Sequence, residues 1–216
     1  MDLTTWLGYV VELLPGLWKA IQLTVISLAL GYPLALIFAV LIDSKIAPIR
    51  WTILVLVEVG RGLPLLVLLY LFYQGLPQLS VVLSALASAV WAFTWSAAAY
   101  ATEIIRASLR SVAGGQREAA NAIGLDDRDQ FRYVVLPQAA RIAIPPLLGL
   151  AIIMFQLTSL AYVIAYSEVM QSAYFLGTKT FNYFPVFLAA AAVYASVTIP
   201  ASALVTGIER RLSRHV

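Results

Sequence analysis

The sequence predicts an all-α membrane protein with five transmembrane helices, and three observations carry that prediction. Hydrophobic residues make up 62% of the 216 and charged residues only 12%, with a mean hydropathy of +0.88; ordinary soluble domains carry about 25% charged residues. Windows of about 19 residues find five separate apolar segments. The basic residues collect in connections between those segments. The length accommodates about five spans of roughly 20 residues each, read as a single transmembrane domain over 1–216. No room is left for a nucleotide-hydrolysing domain, so an energy source must come from elsewhere.

The first stretch, "MDLTTWLGYVVELLPG", carries Asp2 and Glu12 and no basic region. It does not read as a cleaved signal peptide and is expected to lie at the membrane interface. The spans follow near Gly16–Leu41, Thr52–Gly75, Val81–Ala101, Ile142–Tyr166 and Phe184–Thr206. The third and fourth are expected to continue as helices into the charged centre. Lys45, Arg50, Arg106, Arg110, Arg117, Arg128, Arg132, Arg141, Arg210, Arg211 and Arg214, eleven of fourteen basic residues, fall on one side, with Lys179 opposite. The positive-inside rule then puts the N-terminus outside and the C-terminus in the cytoplasm. Trp6, Trp18, Trp51, Tyr70, Phe72 and Tyr73 fall near span ends, where interfacial anchors belong. No internal repeat is visible, which weighs against an inverted-repeat carrier.

Several classes of chemistry are excluded. There are no cysteines, and the single His215 stands in the tail, so no thiolate or histidine metal cluster and no Ser-His-Asp set can be assembled. No GxxxxGK[ST] is present. The chain is expected to be a non-enzyme without a cofactor. Its net charge of +3 is spread over loops with no sustained basic run, which argues against a nucleic-acid partner.

The polar centre runs from Glu103 to Arg141, and within it Gln116–Ile123, which takes in the start of "EAANAIGLDD" (118–127), reads as a short helix of barely two turns. Gly114 and Gly115 are expected to break the helix before it, and Gly124 to end it in the left-handed conformation, with Leu125 as the apolar residue that follows such a cap. Asp126 or Asp127 can cap the next helix, with Asp129 on its N-terminal dipole. Ala119, Ala120 and Ala122 offer a small-residue surface. By these residues alone, the segment is either a loop helix packed on its own protein or a docking helix.

Together, "GGQREAANAIGL" and the following "FRYVVLPQAARIAIPPL" resemble the EAA motif of ATP-binding-cassette importer permeases, through Glu118, Ala119, Ala120, Gly124, Leu136 and Pro137. Nearly the whole chain resembles the polar amino-acid branch (histidine, glutamine, glutamate, arginine and opine permeases), through "GLWKAIQLTVISLALGYPLALIFAVL", "RGLPLLVLLYLFYQGLP", "YATEIIRASLRSV", "TSLAYVIA" and "GIERRL". The resemblance implies the type I importer permease fold and a multi-pass subunit of the bacterial inner membrane. It also implies a coupling helix near 116–124, seated in a cytoplasmic ATP-binding subunit dimer through Arg117, Glu118, Ala119, Ala120 and Gly124. An Arg117–Glu118 pair is expected to fix its register, and Gly124→Pro or Ala120→Glu to uncouple hydrolysis from uptake. The implied partners are a second copy or a similar permease, an extracytoplasmic amino-acid-binding protein, the amino acid itself and membrane lipid.

Charge inside a membrane is costly, about 2.5 to 3.5 kcal/mol for a central arginine on insertion scales. Arg61 falls about 11 residues into the second span, near its middle, with Glu58 one turn earlier. They are either a structural ion pair or a zwitterion site, Arg61 taking the α-carboxylate and Glu58 the α-amino group. In "FQLTSL", Gln156, Thr158 and Ser159 either line a polar path or join helices by hydrogen bonds. Pro145 and Pro146 are expected to bend or break that helix. Many members of the family have Lys and then Asp or Asn where this chain has Gln156 and Leu157, and the stretch is nearer to glutamate/aspartate-type permeases than to basic amino-acid ones. Glu103 is expected to pair with Arg106 or a neighbouring helix. The competing reading is an ion-coupled secondary carrier or channel with Glu58 and Arg61 as a relay, which has no need of a coupling helix.

Overall fold

The computed structural model describes residues 3–212; Asp2, Arg214 and His215 lie outside the described residues. Within them every regular element is helical. Helix α1, Leu3–Leu41, is about 58 Å long at 1.5 Å per residue, nearly twice the roughly 30 Å of a hydrocarbon core. The stretch expected at the interface is therefore helical and continuous with the first span, and the helix is long enough to extend beyond the core. Packing keeps it helical: Leu13 is buried in a cluster with residues of two later helices.

Helix α2 runs Ala47–Gly62 and α3 Leu65–Tyr70, and the chain bends by 107° between them. Pro64 causes the break, because its ring pushes the preceding residue out of the helical region; Leu63 has φ −86° and ψ 133°. A π-type turn, Leu71–Gly75, follows, then a 3₁₀ turn, Leu76–Leu79. Ser84 caps α4, Ala85–Ser111, accepting from the Ala87 N–H at 3.2 Å. Helix α5 is Gly114–Ala122 and α6 Asp127–Gln130. A second π-type turn, Phe131–Val135, leads into α7, Leu136–Leu157, which passes into a 3₁₀ stretch, Thr158–Ile164. Helices α8, Val169–Thr180, and α9, Tyr183–Leu212, complete the order.

Each π-type turn lies just ahead of a proline, Pro77 or Pro137. A helical proline offers no N–H and collides with the carbonyl four residues back. Shifting to bonds five residues back, Leu76 N–H to Leu71 O and Leu136 N–H to Phe131 O, carries the helix past that defect. Helix α7 also continues through Pro145 and Pro146, so of the expected bend or break the break is absent; the departure comes at Leu157.

Helix α4 is the hub, packing against α1, α2, α3 and α7. Ala89, Ala92, Ala97, Ala98, Ala99 and Ala101 are fully buried, and these small side chains let neighbouring backbones come close. Leu3–Leu41, Asp127–Ile164 and Tyr183–Leu212 are long and apolar enough to cross a membrane, and the bent α2–α3 pair makes a fourth candidate. Helix α4, with 27 residues, is long enough but rich in Ser, Thr and Trp.

Candidate functional site

Helix α4 holds the last two turns of α2 by two backbone carbonyls. Trp95 Nε1–H donates to Leu56 O at 2.9 Å and Tyr100 O–H to Arg61 O at 3.2 Å. The Arg61 carbonyl is one of the last four of α2, which the helix leaves without an intrahelical partner. The approach requires Gly60, where a Cβ would stand 2.7 Å from Ala99 Cβ and 2.9 Å from Trp95 Nε1.

Arg61, in the last turn of α2, stands between two carboxylates rather than one. Its Nη1 lies 3.8 Å from Glu58 Oε1 and 3.8 Å from Glu103 Oε2. Glu103 also accepts from Arg106 Nη1 at 3.0 Å, and Arg106 Nη2 lies 3.7 Å from Asp43 Oδ1, just past α1. Three carboxylates and two guanidiniums thus alternate from the elbow to the end of α1. The expected pairing of Glu103 with Arg106 is present, and Glu103 also ties α4 to α2. The shortest contact decides the ranking. Glu103–Arg106, with Arg106 only 14% exposed, dominates; Glu58, 70% exposed, contributes little, as exposed pairs generally do. At 3.8 Å neither contact of Arg61 is a hydrogen bond, so its donors stay available.

The second break is at Leu157–Thr158. Gln156 is exposed and its side-chain amide has no hydrogen bond among the described residues. Ser159 Oγ donates to Gln156 O at 2.9 Å. Thr158 is fully buried and donates to Phe155 O at 2.6 Å, so its hydroxyl serves the local backbone. The two breaks are neighbours: Leu63 and Leu65 at one, and Leu157 and Leu160 at the other, belong to a single apolar cluster with Leu68, Met154 and Ala161.

Residue-pattern reasoning missed Glu168. It caps α8, accepting from the Met170 and Gln171 N–H groups at 2.7 and 2.8 Å, and from Tyr194 O–H at 2.6 Å. An acidic residue before "VMQSAYFLG" was the available signal. Glu168 lies in the connection between the last two span candidates. Burial pushes its carboxyl up to about 7, against the opposing pull of these three donors. The folded form therefore holds its proton more tightly than the unfolded chain does, and stability is lost as pH rises from about 4.5 through about 7. The purified protein's Tm in detergent is expected to fall between pH 5 and 8, and Glu168→Gln to flatten that slope; an equal slope in the variant assigns it elsewhere.

In the polar centre, α4 ends at Ser111, and Val112 is extended. The break thus precedes Gly114 and Gly115, which form the first turn of α5 instead of interrupting the chain. At its other end Gly124 adopts φ +81°. Gly124 N–H donates to Asn121 O and Leu125 N–H to Ala120 O, at 3.0 and 3.1 Å, the two bonds of a Schellman cap. Asp126 Oδ1 accepts from Asp129 N–H at 2.8 Å and caps α6.

The faces of α5 depart from expectation. Ala120 is 3% exposed, so it packs on its own chain, where α5 rests on the π-type turn. Arg117 does not pair with Glu118, since adjacent helical residues point apart; its Nη2 donates to Leu109 O at 3.4 Å. Glu118, Ala119 and Ala122 are exposed, as is Ile123 at 78%, and Glu118 has no ion pair among the described residues.

Residues 31–214 match the family described as "Binding-protein-dependent transport system inner membrane component". The chain is similar to the L-cystine transport system permease protein TcyB of Bacillus subtilis (strain 168), 40% identical over 202 residues covering 93% of this chain and 86% of the relative. It is 35% identical to the glutamate/aspartate import permease protein GltK of Escherichia coli O157:H7 over 207 residues, 92% of each. Among solved structures, the crystal structure of an amino acid ABC transporter with histidines superposes with a TM-score of 0.93 at 33% identity, covering 98% of this chain and 99% of that one. The MetNI methionine ABC transporter, at 18% identity and a TM-score of 0.73, shares the fold, with 98% of this chain and 99% of that one covered.

Proposed function

Because the chain belongs to the family of binding-protein-dependent transport system inner membrane components, we propose a specific path and drive for the transport that this family performs. The protein is the permease subunit of an amino acid ABC importer in the inner membrane and catalyses no chemistry itself. The proposal concerns how it moves its substrate. A polar L-amino acid crosses between the two helix breaks, with its α-carboxylate on Arg61 and its α-amino group on Glu58. Gln156 and Ser159 meet its side chain, and Thr158 shapes the turn that presents them.

One observation carries this reading. Two broken helices meet in one apolar cluster, and each brings a polar group, Arg61 or Gln156, with unused hydrogen-bonding capacity. Irregular backbone at membrane depth is tolerated where it is buried in protein or lines a cavity, and a guanidinium fork fits a carboxylate. An amide at 156 suits an acidic or amide side chain better than a cation, and with the likeness of this stretch to glutamate/aspartate-type permeases, glutamate or aspartate is the favoured substrate.

The proposed arrangement is a single transmembrane domain of five spans, counting α4, with the N-terminus outside and the C-terminus in the cytoplasm. The chain pairs with a second copy or a similar permease. An ATP-binding subunit dimer sits below it and an extracytoplasmic binding protein above. Helix α5 is the coupling helix, offering Glu118, Ala119, Ala122 and Ile123 to the ATPase, while Ala120, Arg117 and Gly124 hold it in shape.

In proteoliposomes with both partners, uptake is expected to need ATP and to be vanadate-sensitive. Arg61→Gln should reduce it about tenfold, the equivalent of one charge-assisted hydrogen bond of about 1.4 kcal/mol. Gradient-driven uptake by the permease alone defeats the reading. Screening the cognate binding protein against amino acids tests the substrate: binding only of Lys, Arg or His overturns the acidic preference and leaves the permease assignment standing.

A further inference from the structure

We propose that Gln130 is the positioning residue that makes α5 and α7 move as one piece, so that a displacement of the cytoplasmic helix reaches the substrate-facing break. The inference rests on α5 being the coupling helix and adds how its motion leaves it.

Helix α5 has nine residues, too few to be stable alone, and must be held by its surroundings. It is flanked by the extended Val112–Ala113 step and by Gly124 at φ +81°, places where the backbone turns without helical bonds. A force applied to α5 can be absorbed by pivoting there unless something else ties it to the spans. The contact of Ala120 is apolar and therefore non-directional. Two polar ties are long: Arg117 Nη2 to Leu109 O at 3.4 Å and Gln138 Nε2 to Gln116 Oε1 at 3.5 Å.

The Gln130 amide makes the short tie. Its Nε2 donates to Arg117 O at 2.7 Å and to Asn121 Oδ1 at 3.2 Å, gripping α5 at points one turn apart. Gln130 is the last residue of α6. From there the chain runs as one helical rod, Asp127–Ile164, through the π-type turn and α7 to Gln156 and Thr158. The amide thus joins the exposed face carrying Ile123 to the far end of that rod.

The test uses the whole transporter, with its ATP-hydrolysing and binding-protein partners, in proteoliposomes. Gln130→Leu keeps the side chain's size and removes both donors. Hydrolysis should stay within about twofold while uptake falls about tenfold, so that ATP consumed per substrate rises about tenfold, a stabilising tie of about 1.4 kcal/mol. Asn121→Ala, which removes only the longer contact, should raise that ratio less. Docking is followed in parallel through Ile123→Cys, a clean probe in a chain without cysteine, cross-linked to the ATPase in both backgrounds. A retained cross-link with a raised ratio supports the proposal. A retained cross-link with an unchanged ratio overturns it and leaves the coupling helix in place. Loss of the cross-link only in Gln130→Leu overturns it too, since Gln130 then merely folds α5. No cross-link in either background removes the coupling-helix reading and this inference with it.

Discussion

A Gly124→Pro permease is expected to assemble with its ATPase and still hydrolyse ATP while importing at about one-hundredth of the normal rate. Two physical effects act at this position. Proline fixes φ near −65°, whereas Gly124 sits at +81°. Proline also lacks the N–H that donates to Asn121 O at 3.0 Å. Together they remove the Schellman cap at a cost of about 3 kcal/mol, equivalent to roughly a hundredfold in an equilibrium. The helix most dependent on its surroundings then loses its end, and Asn121 and Ala120 lose their bonds together. Coupled uptake and hydrolysis measured side by side decide the matter: near-normal uptake sinks the idea. Ala120→Glu, which by the resemblance should uncouple hydrolysis from uptake, acts through the fold itself, since Ala120 is buried on its own chain. It drives a carboxylate into the contact between α5 and its own π-type turn, so the cytoplasmic segment should become protease-sensitive even without the ATPase.

The second large effect belongs to Glu103. Glu103→Gln leaves Arg61 and Arg106 facing a neutral amide, with Arg106 only 14% exposed. Breaking a buried pair costs about 3 to 5 kcal/mol; Glu103 is about one-third exposed, so screening brings the expected loss nearer to about 2 kcal/mol. Tm in detergent should drop clearly and uptake should fall with it. Glu58→Gln is the contrast, because Glu58 is largely exposed and its contact with Arg61 is long: its Tm should hardly move. Equal drops in the two variants would falsify the ranking of the network.

What could be read beforehand follows the range of the forces involved. Helix existence, the Gly124 cap and the Asp126 cap are written in residues within four or five positions of each other, where one left-handed glycine or one capping carboxylate decides the backbone. The direction in which a residue faces is not local. Ala119 and Ala120 are identical in chemistry, yet one is exposed and the other 3% exposed, because the π-type turn after α6 comes back under α5. Pro145 and Pro146 look like breaks, yet α7 continues through both.

The candidate site divides in the same way. Arg61 and Gln156 stood out because a polar group in an apolar run is costly wherever it lies. The pairing expected of Glu103, with Arg106 or a neighbouring helix, is made both ways; what did not stand out is that Asp43 joins the network through Arg106 and that Glu168 meets Tyr194 across 26 residues.

By itself the sequence determined that this is a helical membrane protein with a short capped helix in its polar centre, and its motifs marked it as resembling amino-acid import permeases. Composition and nearest-neighbour sterics are enough for the helices and the cap, and the resemblance supplies the permease class. Only the tertiary structure decided that the two interruptions share one cluster, that Arg61 lies between two carboxylates, and that Gln130 grips α5. Those outcomes depend on which helix faces approach within van der Waals distance, and burial against residues tens or hundreds of positions away selects them.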